Sequence, residues 1–375
     1  MAVTQRLDEY QRRHPWAGFP IALAYKYYDD FGPYLAAVLT YYGIIAIFPL
    51  LLLGSTVLSF VLAGNLELQQ KVLSSALHQF PIIGVELSRP RRISGGAIGL
   101  TVGIIGALYG GLGVGQALQY ATNTAWGIPR NSRPNPLRSR GRGLLLMVTA
   151  GLAILSSTLL SILAGTQVGD HGITVKLGAL GASLMINIWA YVFAFRIACA
   201  GRLSTHDVVP GAIAAAVIWQ VLQSFGVVYV GHVVQRASAT NGLFALVLGL
   251  VAFLYLSSSA VVLCIELNVV RVRRMHPRAL LTPFTDNVQL TSGDRRAYTG
   301  QAKAQRSKGF QRVKVTFDEP HRRQRTRKSQ EPLGQQKPQK PSGPLSPSGP
   351  LSPNGPPKPN ESHEPHEPHA SPPAD

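Results

Sequence analysis

Charge is scarce in this chain of 375 residues: Asp, Glu, Lys and Arg make up 14% of it, against roughly 25% in soluble globular domains. A deficit of that size argues against a water-soluble enzyme. Acid is scarcer still, with Asp+Glu 18 against Lys+Arg 36 and a net charge of +18. Cysteine is nearly absent. Cys199 and Cys264 offer neither a disulfide framework nor metal-ligand spacing, and both read as small membrane-buried residues near the ends of apolar segments. Clustered metal ligands are lacking too. The histidines stand apart at 14, 78, 171, 206, 232, 276, 321, 363, 366 and 369, the last three inside a low-complexity stretch. The chain has no His-x-His-x-Asp-His cluster, GxSxG elbow or Walker loop. The string GGLGVG from Gly110 to Gly115 lies within an apolar run with no strand before it. No catalytic residues, metal or cofactor are expected.

What is present is apolar length. Intervals free of Asp, Glu, Lys and Arg run over residues 31–66, 93–129, 143–169, 177–195, 208–235 and 237–265. Each is about as long as the roughly 20 residues a helix needs to cross a bilayer core about 30 Å thick, or longer. The reading is all-α: a polytopic six-helix membrane bundle with spans at about 34–63, 96–119, 144–166, 177–199, 209–234 and 243–270. A cleaved signal peptide does not fit the first span, which follows 33 residues and whose apolar run is about twice an h-region. Three regions result: an N-terminal cytoplasmic or interfacial segment at 1–33, the transmembrane domain at 34–275, and a disordered tail at 276–375.

Positive charge sets the orientation, because Lys and Arg near helix ends are retained in the cytoplasm. With the N-terminus inside, the inner segments carry Arg6, Arg12, Arg13 and Lys26, then Arg130, Arg133, Arg138, Arg140 and Arg142, then Arg202, and finally Arg271, Arg273, Arg274 and Arg278. The outer loops carry only Lys71, Arg89, Arg91, Arg92, Lys176 and Arg236. Both termini are therefore expected in the cytoplasm of a bacterial cell, with the bundle in its plasma (inner) membrane.

The segment from Phe19 to Gly32 reads as an interfacial helix, its tyrosines at headgroup depth and Lys26, Asp29 and Asp30 facing water. A second apolar stretch, Val72 to Ser88, is too short to span. Residues 295–328 are strongly basic, and 331–375 are proline-rich with near repeats of SGPLSP and HEP. Composition of this kind cannot bury enough apolar surface to order itself. The basic part suits anionic lipid. It does not suit nucleic acid, since it interleaves few stacking residues, Tyr298 and Phe310 among them; protein partners are not specified. The bundle is expected to fold without residues 281–375.

Inside the spans, the informative residues are those that lipid rejects. The second span has glycines at 95, 99 and 103, at 106 and 110, and at 111 and 115. Ridges without side chains let helices approach closely, so this helix is expected to be central. Its later half adds Gln116, Gln119 and Asn123 on one face. Pro49 removes a backbone bond in the first span and predicts a kink. Asn187 and Arg196 in the fourth span, Gln220 and Gln223 in the fifth, and Tyr255, Ser259 and Glu266 in the sixth outline a polar centre. Arg196 and Glu266 sit at similar depth and either pair or snorkel. Ser204 and Asp207 suit a capping box just before Pro210.

These residues also carry a resemblance. Leu35 to Leu53, LAAVLTYYGIIAIFPLLLL, after Asp29-Asp30, is similar to the AAxLAYYxLxALFPLLL signature of the YihY/BrkB family of bacterial inner-membrane proteins. Arg202 followed by Pro210-Gly211-Ala212 agrees, as does the ending FLYLSSSAVVLCIELNVV, which keeps Glu266-Leu267-Asn268 but has Cys264 and Ile265 in place of the family's Gly and Ala. The resemblance covers about residues 15–275 and leaves the tail aside. It implies a six-helix protein linked to envelope integrity and serum resistance, of undefined biochemistry, suspected of lipid or solute export. It also implies that the family's former ribonuclease BN label is mistaken, in keeping with the dispersed histidines.

Two functions fit: a structural protein of the envelope, or a transporter, permease or lipid exporter with a polar cavity lined by Asn187, Arg196, Gln220, Gln223 and Glu266. Both require the chain to be integral to the membrane. Carbonate extraction without detergent should leave it in the membrane pellet, and release of the intact chain would overturn that requirement.

Overall fold

The computed structural model describes residues 10–11, 15–61, 96–166, 172–229, 239–285 and 288–317, and among these the chain is helical without strands. The helices are α1 (Pro15–Asp29), α2 (Gly32–Val61), α3 (Gly96–Ala125), α4 (Pro136–Thr166), α5 (Gly172–Ala198), α6 (Thr205–Tyr229), α7 (Ala239–Val272) and α8 (Ser292–Ala304), with a short 3-10 turn at Arg130–Ser132. Five of them, α3 to α7, are each long and apolar enough to cross a membrane, and the bent pair of α1 and α2 makes a sixth when the two are counted as one span.

Each spanning helix packs on its neighbours in the chain, and α7 returns to α2, which closes the ring. α1 lies against α7. The interior mixes small, polar and apolar residues: Ala121, Thr122, Ala212, Glu266, Phe195 and Ile265 are buried, whereas Leu152, Leu159, Trp189, Phe225 and Leu248 point outward. A water-soluble protein would not turn so many large apolar side chains outward. In a bilayer the outer apolar side chains meet lipid, and the interior must satisfy its own polar groups.

The glycines of α3 work on two faces. A Cβ added at Gly110 would lie 2.5 Å from the Cα of Ala46 in α2, and one at Gly106 would lie 2.6 Å from the Pro49 ring. A Cβ at Gly115 would lie 2.7 Å from the Cα of Gly143 in α4. Helix α3 is thus central, as its ridges predict, and Pro49 serves as a packing surface for Gly106.

Several helix ends run past the expected spans. α3 continues to Ala125 because Gln119 and Asn123 find partners beyond the span. α4 begins at Pro136, a residue suited to a first helical turn, so Arg138 and Arg140 are exposed while Arg142 is half-buried and donates to the Cys199 carbonyl at 3.3 Å. α1 is helical as expected, but Lys26 does not face water: it is 3% exposed. The tail boundary also moves. Residues 276–285 and 288–317 are part of the described structure, and α8 carries a complete capping box, which corrects the expectation of disorder from residue 276 onward. Its cause is ionic rather than apolar, as the next section describes, which is why a composition argument missed it. The segment from Val72 to Ser88 and the proline-rich repeats lie outside the described residues.

Gly110→Ala should lower stability by about 1–3 kcal/mol, because the added methyl meets backbone rather than a mobile side chain. Gly151→Ala, where nothing lies within 4 Å, should be near neutral. Thermal unfolding in detergent micelles compares the two.

Candidate functional site

The break between α1 and α2 comes first in the chain of causes. Phe31 adopts a left-handed backbone, with φ of 57°, uncommon for a bulky residue. The Tyr27 ring then lies where a side chain at position 32 would stand, so Gly32 is required. The two helices bend by 64°. That bend turns Lys26 and Asp30 inward, where they form an ion pair one helical turn apart. The Lys26 Nζ also lies 3.2 Å from Oε2 of Glu266 on α7 and donates to the carbonyl of Ala125 at the end of α3, again at 3.2 Å. Glu266 is 0% exposed. One ammonium therefore joins three helices, and an unpaired charge at this depth would be costly.

Two residues further along, Asn268 clamps α6. Its Oδ1 accepts from the Gly211 N–H at 2.8 Å, and its Nδ2 donates to the Val208 carbonyl at 3.1 Å. Pro210 has no N–H to offer the carbonyl of His206, and Arg271 donates to that carbonyl instead, at 2.6 Å. A side chain at Gly211 would strike the Cys264 carbonyl and Asn268. Pro210-Gly211 and Glu266-Leu267-Asn268 are thus two halves of one helix contact. Ser204 contributes half of the expected cap, its N–H donating to Asp207 at 3.0 Å.

A second ionic node joins the C-terminal segment to α1. Arg278 donates to Asp294 at 2.5 Å and to Asp29 at 2.9 Å, between the rings of Tyr25 and Tyr298. Burial works to lower the guanidinium pKa, but Asp29 and Asp294 together hold it above its ordinary value. Asp294 in addition accepts from the backbone of Ala279 and Thr291, closing the cap of α8. Gln301 reaches from α8 to the carbonyl of Asp29 and the carboxylate of Asp30. The nodes are therefore contiguous: Asp30 belongs to one and touches the other.

The residues expected to line a polar cavity do not converge. Arg196 is exposed, and Glu266 pairs with Lys26 rather than with Arg196, because the bend in α1 brings a nearer cation. Asn187 donates to Ser183 of its own helix. Gln220 and Gln223 are half-buried along α6. Gln116 is exposed while Gln119 and Asn123 are buried, so the three do not share one environment. Gln119 exchanges hydrogen bonds with Ser139 at the start of α4, and Asn123 holds the end of α5 through Ala198 and Ala200, partners that stop short of Gln116. Tyr255 is exposed and does not share the burial of Glu266. Between α4 and α5 lies an apolar recess lined by Leu159, Leu160, Ala182, Met185 and Ile186 with Ser156. Lys26 and Asn268 are the functional residues that sequence reasoning passed over; their membership in the Asp29-Asp30 and Glu266-Asn268 motifs was the available signal.

Apolar crossings arranged around internally paired charges define a polytopic helical membrane protein. Residues 23–287 match the family model described as Virulence factor BrkB, and the chain belongs to that family. The match takes in both Lys26 and Arg278, so both ionic nodes lie largely within the shared region. No curated protein and no solved structure matches the chain.

Lys26→Met leaves two buried carboxylates facing each other and should cost about 3–5 kcal/mol. Glu266→Gln should cost less, and Arg196→Gln, on an exposed side chain, no more than about 0.5 kcal/mol. Double-mutant thermal unfolding should show coupling between Lys26 and Glu266 and none between Arg196 and Glu266. Truncation after residue 280 removes both Asp294 and Gln301, so it should destabilise the bundle markedly, whereas truncation after Phe317 should not; equal melting of the two truncations would refute the role of α8.

Proposed function

We propose that this chain is a structural protein of the bacterial inner membrane that contributes to envelope integrity and carries out no enzymatic reaction. The observation that carries the reading is the commitment of the buried charges: Lys26, Asp30, Glu266 and Arg278 are used in holding α1, α7 and the C-terminal segment together. A permease needs polar groups turned toward a path, whereas Glu266 is committed to Lys26, Asn187 bonds within its own helix and Arg196 faces outward. The described N-terminal residues and the start of the segment after α7 share one face of the bundle, since Gln11 donates to the carbonyl of Arg278. The excess of Lys and Arg in the segments on that face supports a cytoplasmic location for both termini.

The test has two arms. A strain lacking the protein should lose its barrier to detergent and hydrophobic dye, and the full chain should restore it. Purified chain in liposomes should move neither labelled phospholipid nor small anions. Substrate-dependent flux abolished by Glu266→Gln would replace the structural reading with a permease.

A further inference from the structure

Helix α8 has two unlike faces. Asp294, Ala297, Tyr298 and Gln301 turn toward the bundle, while Arg295, Thr299 and Lys303 follow one another at steps of four along the opposite side, with Arg296 and Gly300 on the adjacent ridge. Arg273, the first residue after α7, lies across that ridge: a Cβ on Gly300 would stand 3.8 Å from its Nη1. Together with Met275 these residues line a recess of about 500 Å³ that is largely open to solvent.

The stems of four cationic side chains and Thr299 line this recess, no acid does, and the Arg295 guanidinium lies over the Phe317 ring beside it. The neighbouring carboxylates are engaged elsewhere: Asp29 and Asp294 on Arg278, Asp30 and Glu266 on Lys26. Among the described residues none of the four cations belongs to an ion pair. The walls are held in advance. Arg273 donates to the carbonyl of Trp126 and lies over its ring, Arg296 donates to the carbonyl of Arg274 at 2.7 Å, and Arg306 anchors the far end of α8 to Asn131 at 3.1 Å. Side chains fixed in this way lose little entropy on binding, and guanidinium groups suit the oxygens of a phosphate.

We infer that this recess binds the phosphate of an anionic phospholipid headgroup and so seats the C-terminal helix against the membrane surface. A free phosphate ester has the same chemistry. The lipid is assigned by depth, because Arg273 directly follows the apolar span Phe244–Val272. The inference rests on the bundle being in a membrane and not on the envelope role, so either can fail alone.

The test uses the full chain in nanodiscs of phosphatidylcholine with or without phosphatidylglycerol, with retained lipid counted by native mass spectrometry. Wild type should retain phosphatidylglycerol selectively. Each cation near an anionic surface contributes about fivefold, so Arg295→Gln with Lys303→Gln should weaken retention by about 25-fold, and Arg295→Lys with Lys303→Arg should preserve it. Arg138→Gln with Lys308→Gln removes equal charge outside the recess and should have little effect. Equal loss in both charge-removing variants would overturn the site in favour of bulk attraction, as would retention unchanged in the first. Inorganic phosphate and glycerol 3-phosphate serve as competitors in a parallel binding assay. Displacement of lipid by either supports the recess as the headgroup site; binding of these anions by a chain that retains no phosphatidylglycerol would overturn the lipid assignment. Melting temperatures verify that each variant is folded.

Discussion

An ammonium group removed from water must be neutralised where it stands, and the arrangement around Lys26 follows from that constraint. Its partners come from the turn after α1 and from α7, with a carbonyl at the end of α3 completing its contacts. The attraction between these groups is strong because little water screens it, and desolvation offsets much of that gain. What remains is specificity. A register shift of any of these helices would leave a charge unpaired in a medium of low dielectric, so one arrangement of the helices is selected over its neighbours.

The surrounding packing is of a different kind. Lipid is as apolar as leucine, so burying leucine between helices brings little, and close approach of backbones takes over as the source of attraction. Gly110 against Ala46 and Gly115 against Gly143 are contacts of that sort. Hydrogen bonds then complete the helix ends: Asn268 and Arg271 take up groups left open around Pro210, and Asn123 does the same for the end of α5. Close packing and polar clamps divide the bundle, the first at mid-helix and the second at the face that also carries α8.

The spans, the central place of α3 and the family were legible in the residues, since each depends on local pattern: an apolar run, a glycine spacing, a short motif. The partner of Glu266 was not. Arg196 lay at the matching depth when counted along straight helices, and only the left-handed turn at Phe31 showed that Lys26 arrives first. The order of the 276–317 segment was hidden for a similar reason. Its composition is polar and basic, and its stability comes from Arg278 meeting Asp29 across most of the length of the chain.

By itself, then, the sequence determined the solvent. Runs of that length without charge can be accommodated only by hydrocarbon, whatever their arrangement, because the cost of transfer is summed residue by residue. Only the tertiary structure decided which charges are matched and which polar residues face one another. Those pairings depend on distances of a few ångströms between helices remote in sequence, and such distances are set by bends and close contacts that no local pattern encodes.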